Sequence, residues 1–80
     1  MKQIIVVDKG FVFVGELESD GDFYSLKTGF CIRRWGTTKG LGQLAMEGPL
    51  SGTILEPADN TKFPKERLIF TIDCEQDKWK

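Results

Sequence analysis

KQIIVVDKGFVFVGELE (residues 2–18) decides the fold. Residues 2–7 are apolar and rich in β-branched side chains, which pack well on a pleated surface. Asp8-Lys9-Gly10 is a turn, with glycine available for positive φ, and residues 11–18 return as a second strand, so the stretch predicts a β-hairpin. Alternation places Phe11, Phe13 and Leu17 on one face and Val12, Val14, Glu16 and Glu18 on the other, which makes the first face the candidate core. Gly15 falls between Phe13 and Leu17 and signals a bulge or a close backbone approach.

Outward from the hairpin, Ser19-Asp20-Gly21-Asp22 is the next turn and residues 23–35 form a long third strand. In a regular pleat Tyr24, Leu26, Phe30 and Ile32 share one side, and Phe23, Cys31, Arg33 and Trp35 the other. A bulge at Gly29 would exchange the faces beyond it, which leaves the side taken by each arginine open. Leu41, Leu44 and Ala45 then recur at helical spacing, and Gly48-Pro49 ends the short helix they imply. Thr37 or Thr38 is the expected N-cap, while Gly40 and Gly42 weaken the first turn by about 1 kcal/mol each.

Residues 53–56 read as a short strand, residues 57–64 as a polar connection, and residues 67–74 as a last strand with Leu68, Phe70, Ile72 and Cys74 on one face. The expected class is mainly β (α+β), with five strands and one short helix in the order β-β-β-α-β-β. That order is OB-like and suits a partly open barrel or a curled antiparallel sheet; an SH3-like barrel fits it nearly as well. Residues 1–74 make one small domain, and residues 75–80 a charged, frayed tail that Trp79 can tack down.

Eighty residues bury a modest core, so a disulfide, ligand or partner subunit would add welcome stability. The two cysteines, Cys31 and Cys74, lie far apart without a C-x-x-C pair, and the residues from Met1 do not read as a signal peptide, so the expected setting is a reducing cytoplasm. With no histidine and two cysteines, neither the usual four-ligand zinc sets nor a histidine triad can be built in one chain. No apolar run approaches the ~20 residues of a membrane span. Asp22, Glu47 and Asp73 fall in separate elements with no nucleophile or metal partner in their spacing, so no catalytic or metal-binding residue is assigned, no cofactor is expected, and the reading is non-catalytic.

Net charge is −1, yet the charge is unevenly placed: acids crowd residues 16–22, whereas residues 23–46 hold Lys27, Arg33, Arg34 and Lys39 and no acid. Within that stretch Arg33, Arg34, Trp35, Thr37, Thr38, Lys39, Gly40 and Gly42 run from a strand end through a Gly/Thr loop to a helix start. Helix-start amides, glycines that admit a ligand to the backbone, and cationic side chains together suit phosphate, and an indole face suits a base. A Walker A loop is excluded because Lys39 precedes Gly40 and no Ser or Thr follows it. Gly40-x-Gly42-x-x-Ala45 fits the degenerate dinucleotide pattern, but that pattern works only in a parallel-sheet domain far longer than this chain. Two other readings stay open: the glycines turn a corner while Trp35 fills the end of the core, or Trp35 and Arg34 anchor a protein contact.

The wording CIRRWGTTKGLGQLA (residues 31–45) followed by GP, with IIVVDKGFVFVGEL and FTIDC, resembles a family of short uncharacterised proteins encoded by bacteria and their phages. The resemblance implies a prokaryotic cytoplasm or a phage infection as the setting, in which small sequestering proteins bind nucleotide signals. The expected function is a non-catalytic module for a phosphate-bearing ligand, a nucleotide or single-stranded nucleic acid. The alternative is a self-associating or protein-binding domain whose edge strands pair between chains.

Overall fold

The first strand, β1 (Gln3–Val7), turns through a 3-10 segment (Asp8–Gly10) into β2 (Phe11–Asp20), and the two pair antiparallel with Ile4 opposite Val14 and Val6 opposite Val12. The computed structural model describes residues 1–79; Lys80, the last residue of the expected tail, lies outside the described residues. After the hairpin come β3 (Phe23–Arg34), α1 (Leu41–Glu47), β4 (Ile54–Pro57), β5 (Lys62–Pro64) and β6 (Leu68–Asp73). The sheet is antiparallel in the order β4-β3-β2-β1-β6, and β5 lies beside the N-terminal end of β3, on the margin whose other end β4 occupies.

The protein is therefore mainly β with one α-helix among the described residues, but the sheet has six strands rather than five and does not close into a barrel. The strand that sequence missed is β5. Three residues ending in proline are too short to show alternation, and they sit within the stretch read as a polar connection.

Chain length forces the sheet to curl. From Pro64 to Leu68 the chain takes four Cα steps, ~15 Å at full stretch, and it takes them as a 3-10 turn (Lys65–Arg67) that rises only ~2 Å per residue. Yet β5 and β6 lie on opposite margins of the sheet, four strand spacings or ~19 Å apart were it flat. The hollow side of the curl holds Ile5, Val7, Phe13, Leu26 and Phe63, with Leu17, Tyr24 and Leu68 packed against them. The other side holds Ile4, Val12, Val14 and Ile32 beneath α1. Both faces are thus core, a correction to the expectation that the Phe11-Phe13-Leu17 face is the better candidate; Phe11 itself is 56% exposed.

A bulge distributes β3 between these two sides. Glu16 pairs with Lys27 but Val14 with Phe30, so Gly15 alone stands opposite Thr28 and Gly29. Tyr24 and Leu26 accordingly pack on the hollow side, while Phe30 and Ile32 lie with the helix side. The backbones can meet so closely because both sites are glycine: a Cβ on Gly15 would lie 2.9 Å from Cα of Gly29. In β6 a second irregularity does the same, with Val7 opposite Leu68 but Val6 opposite Phe70, so Leu68 leaves the face expected for it and joins the hollow side while Ile72 and Cys74 pack on the helix side. Cys31 and Cys74 are both free and belong to opposite faces of the sheet.

The helix is seated by Leu44 and Ala45, both fully buried, and locked by the C-terminal residues. Glu75 N–H donates to the Ala45 carbonyl at 2.9 Å, and Trp79, 4% exposed, donates its indole N–H to the carbonyls of Leu44 and Ala45 at 3.2 and 3.1 Å. Those carbonyls are in the last turn of α1, where that of Leu44 also accepts from the Gly48 N–H at 2.9 Å and that of Ala45 takes its donors from the C-terminal residues. Trp79 therefore tacks down residues 75–79 and completes the helix at once.

Candidate functional site

β3 delivers the first residues of the suspected segment. Arg33 lies at a break in register between Ile32, opposite Leu55, and Arg34, opposite Ile54, and its Nε is 3.0 Å from Oε1 of Glu56. Arg34 and Lys39 are exposed and make no ion pair or side-chain hydrogen bond among the described residues. Trp35 is 40% exposed, so it does not plug the core; Trp79 holds that place. The loop beyond is fixed by its backbone: Trp35 carbonyl accepts from Thr53 Oγ1 at 2.6 Å, and Gly36 runs against Gly52.

Three amides that precede the first helical turn are occupied by the chain itself. Gln43 Oε1 accepts from the N–H groups of Thr38 and Lys39, at 3.1 and 2.8 Å, and Thr37 Oγ1 accepts from that of Gly40 at 3.2 Å. The N-cap is Gly40, not Thr37 or Thr38. Its φ of 90° and ψ of −161° suit glycine alone, and Gln43, the third helical residue, reaches back past it to the two preceding amides. Gly42 stands in the open, with nothing near its Cα face. The eight residues singled out from sequence thus divide: Arg34, Trp35 and Lys39 offer free groups to solvent, Arg33 is engaged with Glu56, Thr37, Thr38 and Gly40 close the loop on itself, and Gly42 only faces solvent.

Two residues that sequence reading passed over stand beside Arg33. Phe13 pairs with Cys31, so the start of β2 runs alongside the end of β3, and Lys9, Phe11, Cys31 and Arg33 line one open hollow of about 270 Å³. On its other side Phe11 borders a second hollow of about 270 Å³, shared with Val7, Phe63 and Arg67. Its ring stacks on Phe13 at 6.5 Å, which holds it upright between the two. Arg67 Nη1 is 2.8 Å from Asp8 Oδ2, whereas the Lys9 ammonium has no partner among the described residues. Pairing Phe11 with Arg33 required the register of β2 on β3, which the bulge at Gly29 hid; an aromatic directly after a Lys-Gly turn was the one available signal.

This end of the sheet carries Lys9, Arg33, Arg34 and Arg67, with Lys39 in the loop that follows, against two carboxylates, Asp8 and Glu56, each already in an ion pair. The hollows fall below the ~300–1,000 Å³ that encloses a small-molecule ligand. What they offer is an open surface with the exposed Phe11 ring among cations. Among the described residues no three His, Cys, Asp or Glu side chains gather so as to hold a metal ion, and no helix is long and apolar enough to cross a membrane. The chain matches no family model, no curated protein and no solved structure.

Proposed function

We propose that the protein is a non-catalytic binding module for a phosphate-bearing ligand, taken on the open end of the sheet by side chains. The observation that carries the reading is the exposed Phe11 ring beside Lys9 and Arg33 in one open hollow, followed along the chain from Arg33 by the exposed Arg34, the half-exposed Trp35 and the exposed Lys39. Bases stack on rings, phosphates meet cations, and an unenclosed track suits an extended single strand better than a lone nucleotide. In OB-folds the face of strands 2 and 3 serves this purpose, and here β2 and β3 bring Phe11 and Arg33 together. In a bacterial cytoplasm or during phage infection, the setting that the resemblance implies, such a module sequesters or escorts its ligand without converting it.

Fluorescence anisotropy with short labelled DNA and RNA strands, alongside a panel of mononucleotides, tests the proposal. Strands are expected to bind, with the logarithm of affinity falling linearly in the logarithm of salt by ~0.7 for each phosphate contacted. Preference for a mononucleotide would keep the phosphate reading and replace the ligand. No binding by any member of the panel at low salt overturns it.

A further inference from the structure

The hollow side of the curled sheet reaches the surface beside Phe11. Val7 and Phe63 belong to the buried core of that side, and together with Phe11, Asp8, Lys9 and Arg67 they line an open hollow of about 270 Å³. Its floor is apolar and its rim charged. Across the Phe11 ring lies the other hollow, where Lys9 and Arg33 are. The two hollows therefore share one ring and differ in chemistry.

Charge at the apolar hollow is already compensated. Arg67 Nη1 is 2.8 Å from Asp8 Oδ2, and the other oxygen of that carboxylate, Oδ1, accepts from the Lys9 amide at 2.8 Å. The pair draws on only one nitrogen of the guanidinium, so the edge formed by Nε and Nη2 has no partner among the described residues. A phosphate gains little from a cation held against a carboxylate. A neutral group with two adjacent acceptors, by contrast, gains a pair of hydrogen bonds from that edge without disturbing the ion pair.

We infer that the apolar hollow is the base-reading subsite of the strand site proposed above, on which reading the inference rests, and that the base it takes is guanine. The ring stacks on Phe11 over Val7 and Phe63, and N7 and O6 face Nε and Nη2 of Arg67. Guanine sets those two acceptors side by side; adenine places an amino donor next to N7, against a fork that can only donate, and thymine pairs O4 with a methyl group. Cytosine offers two adjacent acceptors on a single ring, which covers less of the apolar floor. The phosphate of the same nucleotide then falls on the far side of Phe11, where the Lys9 ammonium has no carboxylate partner among the described residues.

Fluorescence anisotropy with a short labelled thymidine strand, and with the same strand carrying one central dG, dC, dA or deazaguanine whose N7 is carbon, tests the inference on the unaltered protein. The dG strand is expected to bind roughly tenfold more tightly than the all-thymidine strand, and deazaguanine to forfeit most of that gain. Arg67→Lys keeps a cation beside Asp8 but has no fork, so the ratio between the dG and all-thymidine strands should fall towards one. The exposed ion pair adds little to stability, and a circular dichroism melt checks that this variant is folded. Equal affinity for every strand, a preference for another base, or an Arg67→Lys loss shared by all strands with a shallower salt dependence, the mark of a phosphate contact, overturns the inference and leaves the phosphate reading standing. No binding by any strand at low salt overturns both.

Discussion

At Gly36 the chain turns with φ of 70°, and a Cβ there would lie 2.3 Å from the carbonyl carbon of Gly52 and 2.5 Å from the amide of Thr53. Both obstacles are backbone, so no side chain can swing aside. Gly36→Ala is expected to cost about 2–4 kcal/mol in chemical denaturation, positive φ and overpacking acting together. Nearby, the Arg34 side chain has no hydrogen-bond or ion-pair partner to lose among the described residues. Arg34→Ala should therefore melt with the wild type while binding a single strand more weakly by about 1–3 kcal/mol, the range for a charge-assisted hydrogen bond. Normal binding by Arg34→Ala would take that residue out of the site. Charge, ring and glycine at residues 33–42 were legible because each announces itself by residue type. The capture of two amides by Gln43 was not, because it depends on which residue becomes the third of the helix, and that followed from Gly40 rather than a threonine taking the N-cap.

Among the elements, α1 depends most on something outside itself. Seven residues are too few to hold a helix in water, and the buried Trp79 packs against it and donates to two of its last carbonyls alongside Gly48 and Glu75. Trp79→Ala is expected to cost about 3–5 kcal/mol, much of the stability of a domain this size, whereas Trp35→Ala should shift the melt far less because that ring already stands in water. Equal losses for the two variants would contradict this assignment. The hairpin, the long third strand and the helix were readable from period and turn chemistry. The faces beyond Gly29 and at Leu68 were not, since one extra residue in a strand reverses every side chain after it, and a single sequence shows that a glycine is present but not whether the ladder slips there.

For the molecule as a whole, alkaline pH should find a weak point on the helix side of the sheet. Burial pushes the Cys74 thiol up to about 11, so between the ordinary thiol value and that pH the unfolded chain has lost a proton that the folded chain keeps. The stabilising contribution is complete below about pH 9 and is lost as pH rises towards 11. Urea titrations from about pH 8 to pH 10 should show the wild type losing stability more steeply than Cys74→Ala, and parallel profiles would remove Cys74 as the cause. Six strands and two buried faces also leave a mark on how the chain comes into being. β1 lies between β2, its neighbour in sequence, and β6, the last strand to be made. On the ribosome the hairpin is complete early, but β1 must then wait with its other side bare until Leu68–Asp73 have emerged. For that interval the nascent chain displays an apolar, unpaired strand, the form that chaperones and misfolding compete for, so the sheet is finished by a long-range pairing made well after its first hairpin.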